Sequence, residues 1–179
     1  MERSVVIAGF GGQGVILAGK ILAQAGVDHR LEVTWLPSYG PEMRGGTANC
    51  TVVLSDEPVG SPIVDEPSAL VALNLPSLDK FEPTVAKGGT IVVNASLVER
   101  PVGRQDVRVV RLDMNALAAK AGSPRSLNMV ALGGYLKATG VVPLDVVRRA
   151  MTRALESDGK GKSVASNVQG LEEGYNAVS

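Results

Sequence analysis

The stretch Val5–Gln24, VVIAGFGGQGVILAGKILAQ, sets the fold. Ser4–Gly9 is an apolar strand candidate, and VILAGKILAQAG after Gly14 is apolar on nearly every side, as a helix pressed against a sheet must be. Between them Gly9, Gly11 and Gly14 satisfy G-x-G-x-x-G, with Gly12 as an extra glycine. Two purposes are served by the same physics. Glycines let strand and helix pack closely, and they let an anion approach the first N–H groups of the helix.

Outward from that turn the chain keeps alternating. Leu31–Leu36, Thr47–Ser55, Leu70–Asn74, Thr90–Asn94 and Val107–Leu112 have strand composition. A short helix is expected at Ser77–Lys87, where Pro83 weakens it or marks its start. From Asn115 the periodicity is helical, through NALAAKAG, SLNMVALGGYLKATG, LDVVRRAMTRALE and SVASNVQGLEEGYNAV. This pattern predicts a three-layer α/β/α domain with a mainly parallel, Rossmann-like sheet and a helical C-terminal part. With 179 residues, 45% of them hydrophobic, one domain over residues 1–179 is expected. ESDGKGKS, Glu156–Ser163, reads as a flexible joint that frees the last helix to pack separately.

A dinucleotide site needs an acidic residue at the end of the second strand, about 20 residues beyond the turn, to hold the ribose hydroxyls. That strand reads LEVTWL, with Glu32 at its start and Trp35 and Leu36 at its end. The ribose ligand is missing. The turn therefore reads as a cradle for phosphate or carboxylate, or as a packing device, ahead of a redox NAD site.

PSYGPEMRGG, Pro37–Gly46, is rich in glycine and proline and continues neither strand nor helix. Loops of this length are more often functional than incidental in a compact domain. Trp35 and Tyr39 belong to it and its flank, and Phe10 lies in the glycine turn, so three of the six aromatics sit on two loops. Aromatics and arginine serve desolvated contact surfaces. Arg44 offers a planar fork to a carboxylate or phosphate, while Glu42 can instead pair with it or cap local backbone. The expected contact residues are Phe10, Trp35, Tyr39, Pro41, Glu42, Met43 and Arg44; the expected anion-binding residues are Gly9, Gly11, Gly12, Gly14 and Arg44. Both loops are expected to leave the carboxyl ends of adjacent strands, as one composite surface.

Composition narrows the chemistry. Lysine plus arginine equals aspartate plus glutamate at 18 each, with no long run of either sign, so neither nucleic acid nor a membrane surface is an expected partner. Cys50 and His29 are the only residues of their types, too few to build an iron–sulfur cluster or a structural zinc site. One cysteine gives no disulfide framework, no run reaches about 18 apolar residues, and no secretory pattern opens the chain; a cytoplasmic location is expected.

Taken together, GFGGQGV at Gly9–Val15, LPSYGPEMRGG at Leu36–Gly46 and SLNMVALGGYLKATGVVPLDVV at Ser126–Val147 resemble the gamma subunit of the 2-oxoacid:ferredoxin oxidoreductases. The resemblance spans nearly the whole length and keeps the order of the motifs. It implies a complex that converts a 2-oxoacid, coenzyme A (CoA) and oxidised ferredoxin to acyl-CoA, carbon dioxide and reduced ferredoxin. In that picture thiamine diphosphate, magnesium and iron–sulfur clusters belong to the alpha, beta and ferredoxin-like delta subunits. This chain then carries no catalytic residue, no metal and no cofactor of its own, and its anion-binding residues become candidates for CoA or for subunit contact. Contacts with a second copy stay open. The indolepyruvate oxidoreductase beta subunit shares the glycine turn, and a free-standing nucleotide-binding protein is the alternative from another class.

Other residues read more plainly. Asn128 is expected to cap a helix, ahead of lining a site, His29 to be solvated, Cys50 to be buried, and Lys160 and Lys162 to face solvent. Gly133 and Gly134, inside a helix, imply close helix approach, with another subunit as a candidate neighbour.

Overall fold

The computed structural model describes residues 1–39 and 47–179. Its strands are β1 (Glu2–Phe10), β2 (Glu32–Tyr39), β3 (Thr47–Ser55), β4 (Ala69–Ala72), β5 (Thr90–Asn94) and β6 (Arg108–Leu112). Its helices are α1 (Val15–Asp28), α2 (Leu75–Phe81), α3 (Met114–Lys120), α4 (Leu127–Thr139), α5 (Leu144–Ser157) and α6 (Val164–Asn176). The strands form one sheet in the order β2-β3-β1-β4-β5-β6. β1, β4, β5 and β6 pair in parallel, whereas β3 runs antiparallel to both β1 and β2.

The position of β3 corrects one expectation. The loops after β1 and β2 do not leave adjacent strands, because β3 lies between them. β2 and β3 form a hairpin that pairs Tyr39 with Ala48, and β3 then matches the whole of β1, from Phe10 opposite Thr47 to Glu2 opposite Ser55. β1 and β2 still run to the same end of the sheet.

β1 is buried on both faces from Ser4 to Gly9, which is why its core-facing run shows no alternation. On one face α1 lies over β1–β3 and α4 over β5 and β6, with α3, α5 and α6 completing a large core. The other face carries a smaller core: Val6, Ala8, Leu70, Ala72, Ile91 and Val93, covered by Leu78 of α2, Val85 and Val98. The outer layers are therefore unequal. α2 is also shorter than expected, since the chain tightens into a 3₁₀ turn at Glu82–Thr84, where Pro83 cannot donate to a continuing helix.

The helical part corrects two more expectations. α6 packs closely on α4: a Cβ on Gly133 would stand 2.8 Å from the Tyr175 nitrogen, and one on Gly174 would stand 2.7 Å from the Val130 carbonyl carbon. The glycines of α4 thus serve contacts inside this chain, Gly134 facing Leu112 and Gly133 facing α6. Glu156–Ser163 does not free the last helix either. Its turn is closed by Lys160 N–H donating to Leu155 O at 2.7 Å and Ser163 N–H donating to Lys160 O at 3.0 Å.

Candidate functional site

β1 ends at Phe10 and the chain reverses at once. Gln13 N–H donates to Phe10 O at 3.1 Å, and the Gln13 side chain folds back so that its Oε1 accepts from Phe10 N–H at 2.6 Å. Gly14 then enters the left-handed region, φ 76°, which only glycine adopts freely, and caps α1. Ala18 N–H closes the first turn on Gly14 O at 3.0 Å. No described side chain caps the helix, and its first turn holds no acidic residue. The N–H groups there, at the positive end of the helix dipole, lack a side-chain acceptor among the described residues.

This end lies beside the point where the sheet changes direction of winding. α1 leaves β1 over one face, and α2 leaves β4, its parallel neighbour, over the other. Open α/β sheets hold ligands in such a crevice. Here Asn74, at the end of β4, bridges it: its Nδ2 reaches Gln13 Oε1 at 3.4 Å while its Oδ1 accepts from Ser77 N–H at 2.9 Å and caps α2. From the far side Asn128, 4% exposed, donates from Nδ2 to Gly14 O at 3.2 Å. Asn128 does not cap α4, whose N-cap is Ser126; it ties α4 to the glycine turn. Three side-chain amides thus frame the turn.

Of the residues named from sequence, Gly11, Gly12 and Gly14 share this turn, Gly9 is buried in β1 just before it, and Gly12 (φ 89°) has open space where a Cβ would go. Phe10 is partly exposed at the same sheet end, on the face of the smaller core, and Leu36, 43% exposed, lies on that face of β2. Trp35 faces the other way. A Cβ on Gly19 of α1 would stand 3.1 Å from its Nε1, and Cys50 crowds the same spot, so the indole packs between sheet and helix. Tyr39 ends β2 opposite Ala48, and Thr47, opening β3, pairs with Phe10. Pro41, Glu42, Met43 and Arg44 fall outside the described residues; Tyr39 and Thr47, on either side of the undescribed segment, end β2 and open β3 at this end of the sheet. Sequence reasoning passed over Gln13 and Asn74. The signal for Asn74 was a capping residue followed by Leu-Pro-Ser at a helix start.

The chemistry available is polar and anion-directed. Cys50 is buried, with its thiol against Val15 O at 3.5 Å. Burial pushes that thiol up to about 12, against the opposing effects of Trp35 and the Gly19 backbone, so it is a poor nucleophile or metal ligand. No three His, Cys, Asp or Glu side chains converge among the described residues, and no described helix is long and apolar enough to cross a membrane.

Residues 4–177 match the family described as pyruvate ferredoxin/flavodoxin oxidoreductase. The chain belongs to that family. It is 43% identical over 173 residues to the ketoisovalerate oxidoreductase subunit VorA of Methanothermobacter thermautotrophicus, covering 97% of this chain but 36% of that one. It therefore spans about a third of VorA's length. The 2-oxoglutarate synthase subunit KorC of Methanocaldococcus jannaschii is 34% identical over 176 residues, covering 96% of this chain and 94% of that one. Among solved structures, the keto/oxoacid ferredoxin oxidoreductase gamma subunit from Geobacter sulfurreducens superposes with a TM-score of 0.84 at 28% identity, covering 98% of this chain and 97% of that one. The family thus holds this unit both as a whole subunit and as part of a longer chain.

Proposed function

We propose that this chain is the gamma-type subunit of a 2-oxoacid:ferredoxin oxidoreductase: required for the assembled enzyme and without turnover alone. One observation carries the reading. A KorC subunit corresponds to this family member nearly end to end, at 96% of one chain and 94% of the other. The complex oxidises a 2-oxoacid with CoA to acyl-CoA and carbon dioxide and passes the electrons to ferredoxin. An iron–sulfur cluster does not fit the residues here, since the one cysteine is buried and faces a main-chain carbonyl; thiamine diphosphate, magnesium and the clusters are the partners' cofactors. They belong to alpha, beta and delta subunits, all working in the cytoplasm.

Relatives named for ketoisovalerate and for 2-oxoglutarate both match this chain over nearly its whole length, which supports placing the choice of 2-oxoacid in the partners. The contribution of this subunit is a surface. The glycine turn and the loop carrying Tyr39, Pro41, Glu42, Met43 and Arg44 form the subunit contact and shape the entrance for CoA, whose phosphates suit the α1 N-terminus and the Arg44 guanidinium. Phe10 and Leu36, exposed on one face at this end of the sheet, extend the apolar part of that contact. Coexpression of Arg44→Ala with the partner subunits tests it. A complex that falls apart on gel filtration, or one that assembles with a raised KM for CoA, is expected. An intact complex with unchanged CoA dependence removes Arg44 from the site. Turnover by the isolated chain, supplied with thiamine diphosphate, a 2-oxoacid, CoA and an electron acceptor, overturns the noncatalytic assignment.

A further inference from the structure

At the opposite end of the sheet from the glycine turn, where β1, β4 and β5 begin and α4 ends, a cleft of about 250 Å³ opens on the face of the larger core. Arg3 of β1 and Lys87, in the turn before β5, bring its charged side chains, and no carboxylate among the described residues lines it. Neither cation forms an ion pair with a described residue. Asp106, whose charge Lys87 feels, accepts from Arg104 through both oxygens, each at 2.7 Å. Asp65 and Glu66 line a separate cleft that Lys87 also borders. The positive field of Arg3 and Lys87 is thus left without an acid inside the cleft.

The frame of the cleft is fixed by hydrogen bonds that use up its main-chain donors. Ser4 N–H donates to Ser68 Oγ at 2.9 Å and Ser68 N–H to Ser4 Oγ at 3.1 Å. Gly88 N–H donates to Asp106 O at 2.7 Å, Gly89 N–H to Ala86 O at 2.9 Å and Thr90 N–H to Ser68 O at 3.0 Å. Recognition therefore falls to side chains. The carbonyls that end α4 would repel an anion, but three of them are answered: Thr139 Oγ1 donates to Tyr135 O at 2.8 Å, Gly140 N–H to Leu136 O at 2.7 Å and Arg108 Nη1 to Ala138 O at 2.6 Å. Arg108 brings a third positive charge to the rim by the same bond. Tyr135 is 1% exposed yet lines the cleft, and its phenol stands beside the Thr139 hydroxyl within the field of Arg3. Burial pushes that phenol up, so it keeps its proton and stays a donor at neutral pH. A guanidinium fork, an ammonium and a buried phenol around one small polar space match an oxyanion that carries two charges.

We propose that this cleft binds a small doubly charged oxyanion, a phosphate monoester or a dicarboxylate, through Arg3, Lys87 and the Tyr135 phenol. The site lies at the far end of the sheet from the CoA entrance proposed above, and it stands whether or not the chain is a gamma-type subunit. The test is isothermal titration of the full chain with inorganic phosphate, glycerol 3-phosphate, succinate and singly charged acetate, each at low and physiological salt. Two variants accompany it. Arg3→Gln/Lys87→Gln changes two exposed side chains and is expected to leave Tm unchanged, while Tyr135→Phe removes one buried oxygen; where Tyr135→Phe alters Tm, the exposed pair decides. At least one dianion is expected to bind more tightly than acetate and more weakly as salt rises, with affinity falling roughly tenfold in the double variant and roughly threefold in Tyr135→Phe. Phosphate probes bound ahead of succinate assign a phosphorylated ligand, and the reverse order assigns a dicarboxylate. No binding of any dianion, affinity for acetate equal to that for the dianions, or binding that the double variant leaves unchanged overturns the proposal. Affinity lost in the double variant but kept in a stably folded Tyr135→Phe removes the phenol from the site and keeps the two cations.

Discussion

Asn128 Nδ2 donates to the main-chain oxygen of Gly14 at 3.2 Å, joining positions 114 residues apart. The same oxygen accepts from Ala18 N–H at 3.0 Å, so one carbonyl serves the first turn of α1 and the start of α4 together. Asn128 Oδ1 accepts from Met129 N–H at 3.0 Å, which fixes the amide orientation. The glycine turn is therefore held from outside its own segment. Asn128→Ala removes a buried donor and is expected to cost about 1–3 kcal/mol, read as a lower urea midpoint at unchanged m. Amide exchange at the start of α1 should quicken in the same variant. An unchanged midpoint would show that the turn holds its shape without α4.

The crossing of α4 and α6 gives a second expectation. A Cβ on Gly174 would meet the carbonyl group of Val130, which is backbone and cannot rotate away. Gly174→Ala is expected to force the helices apart at about 1–3 kcal/mol, despite the higher helix propensity of alanine. Gly60→Ala is the control: it is exposed, with nothing within 4 Å of the added carbon, and should stay within about 0.5 kcal/mol of wild type. Thermal melts of the two variants separate the cases.

That crossing also marks where sequence reading stopped. The strands and most of the helices were legible because period and turn residues are local signals: Ser4–Gly9 reads as an apolar strand and Asn115 onward as helix without any partner being known. The insertion of β3 between β1 and β2 was not legible. Strand order depends on which apolar surfaces meet, and TANCTVVLS pairs with either neighbour equally well by composition. Gly133 signalled close approach correctly but not to what, since the answer lay on Leu171 and Tyr175, some 40 residues on. The glycine turn was legible as a motif. Its amide frame of Gln13, Asn74 and Asn128 was not, because those residues come from three separate elements.

Glu82 ties down the cover of the smaller core. It is 7% exposed, and its Oε1 accepts from the N–H groups of Gly103 and of Arg104, the latter at 3.1 Å. Its Oε2 accepts from an Arg100 guanidinium nitrogen at 2.8 Å. One carboxylate thus clamps the segment that brings Val98 and Val102 over the sheet. Glu82→Ala takes that acceptor from the Gly103 and Arg104 N–H groups, while Arg100 keeps Asp79, and is expected to cost about 1–3 kcal/mol; Glu82→Gln, which keeps one acceptor, should cost less. Hydrogen exchange at Gly103 and Arg104 should accelerate in both. Protection equal to wild type would mean the segment is held by its apolar contacts alone.

Cys50 supplies a pH-dependent expectation. Burial raises its thiol from 9.0 to about 12, and burial also pushes the Tyr135 phenol up. Between those limits the unfolded chain releases the Cys50 proton while the folded chain retains it. The folded state then binds more protons, so stability falls as pH rises above about 9, and is fully present below it. The loss approaches about 1.4 kcal/mol per pH unit for a fully titrating thiol. Replacing the thiol by Cys50→Ala should lower stability at neutral pH, through lost packing against α1, yet flatten the alkaline slope, to which Tyr135 still contributes with the same sign. Denaturant titrations at a series of pH values read both effects at once. In the native protein a thiol reagent at pH 8 should find Cys50 only as fast as the chain opens, and rapid stoichiometric labelling would contradict the burial from which the slope is derived.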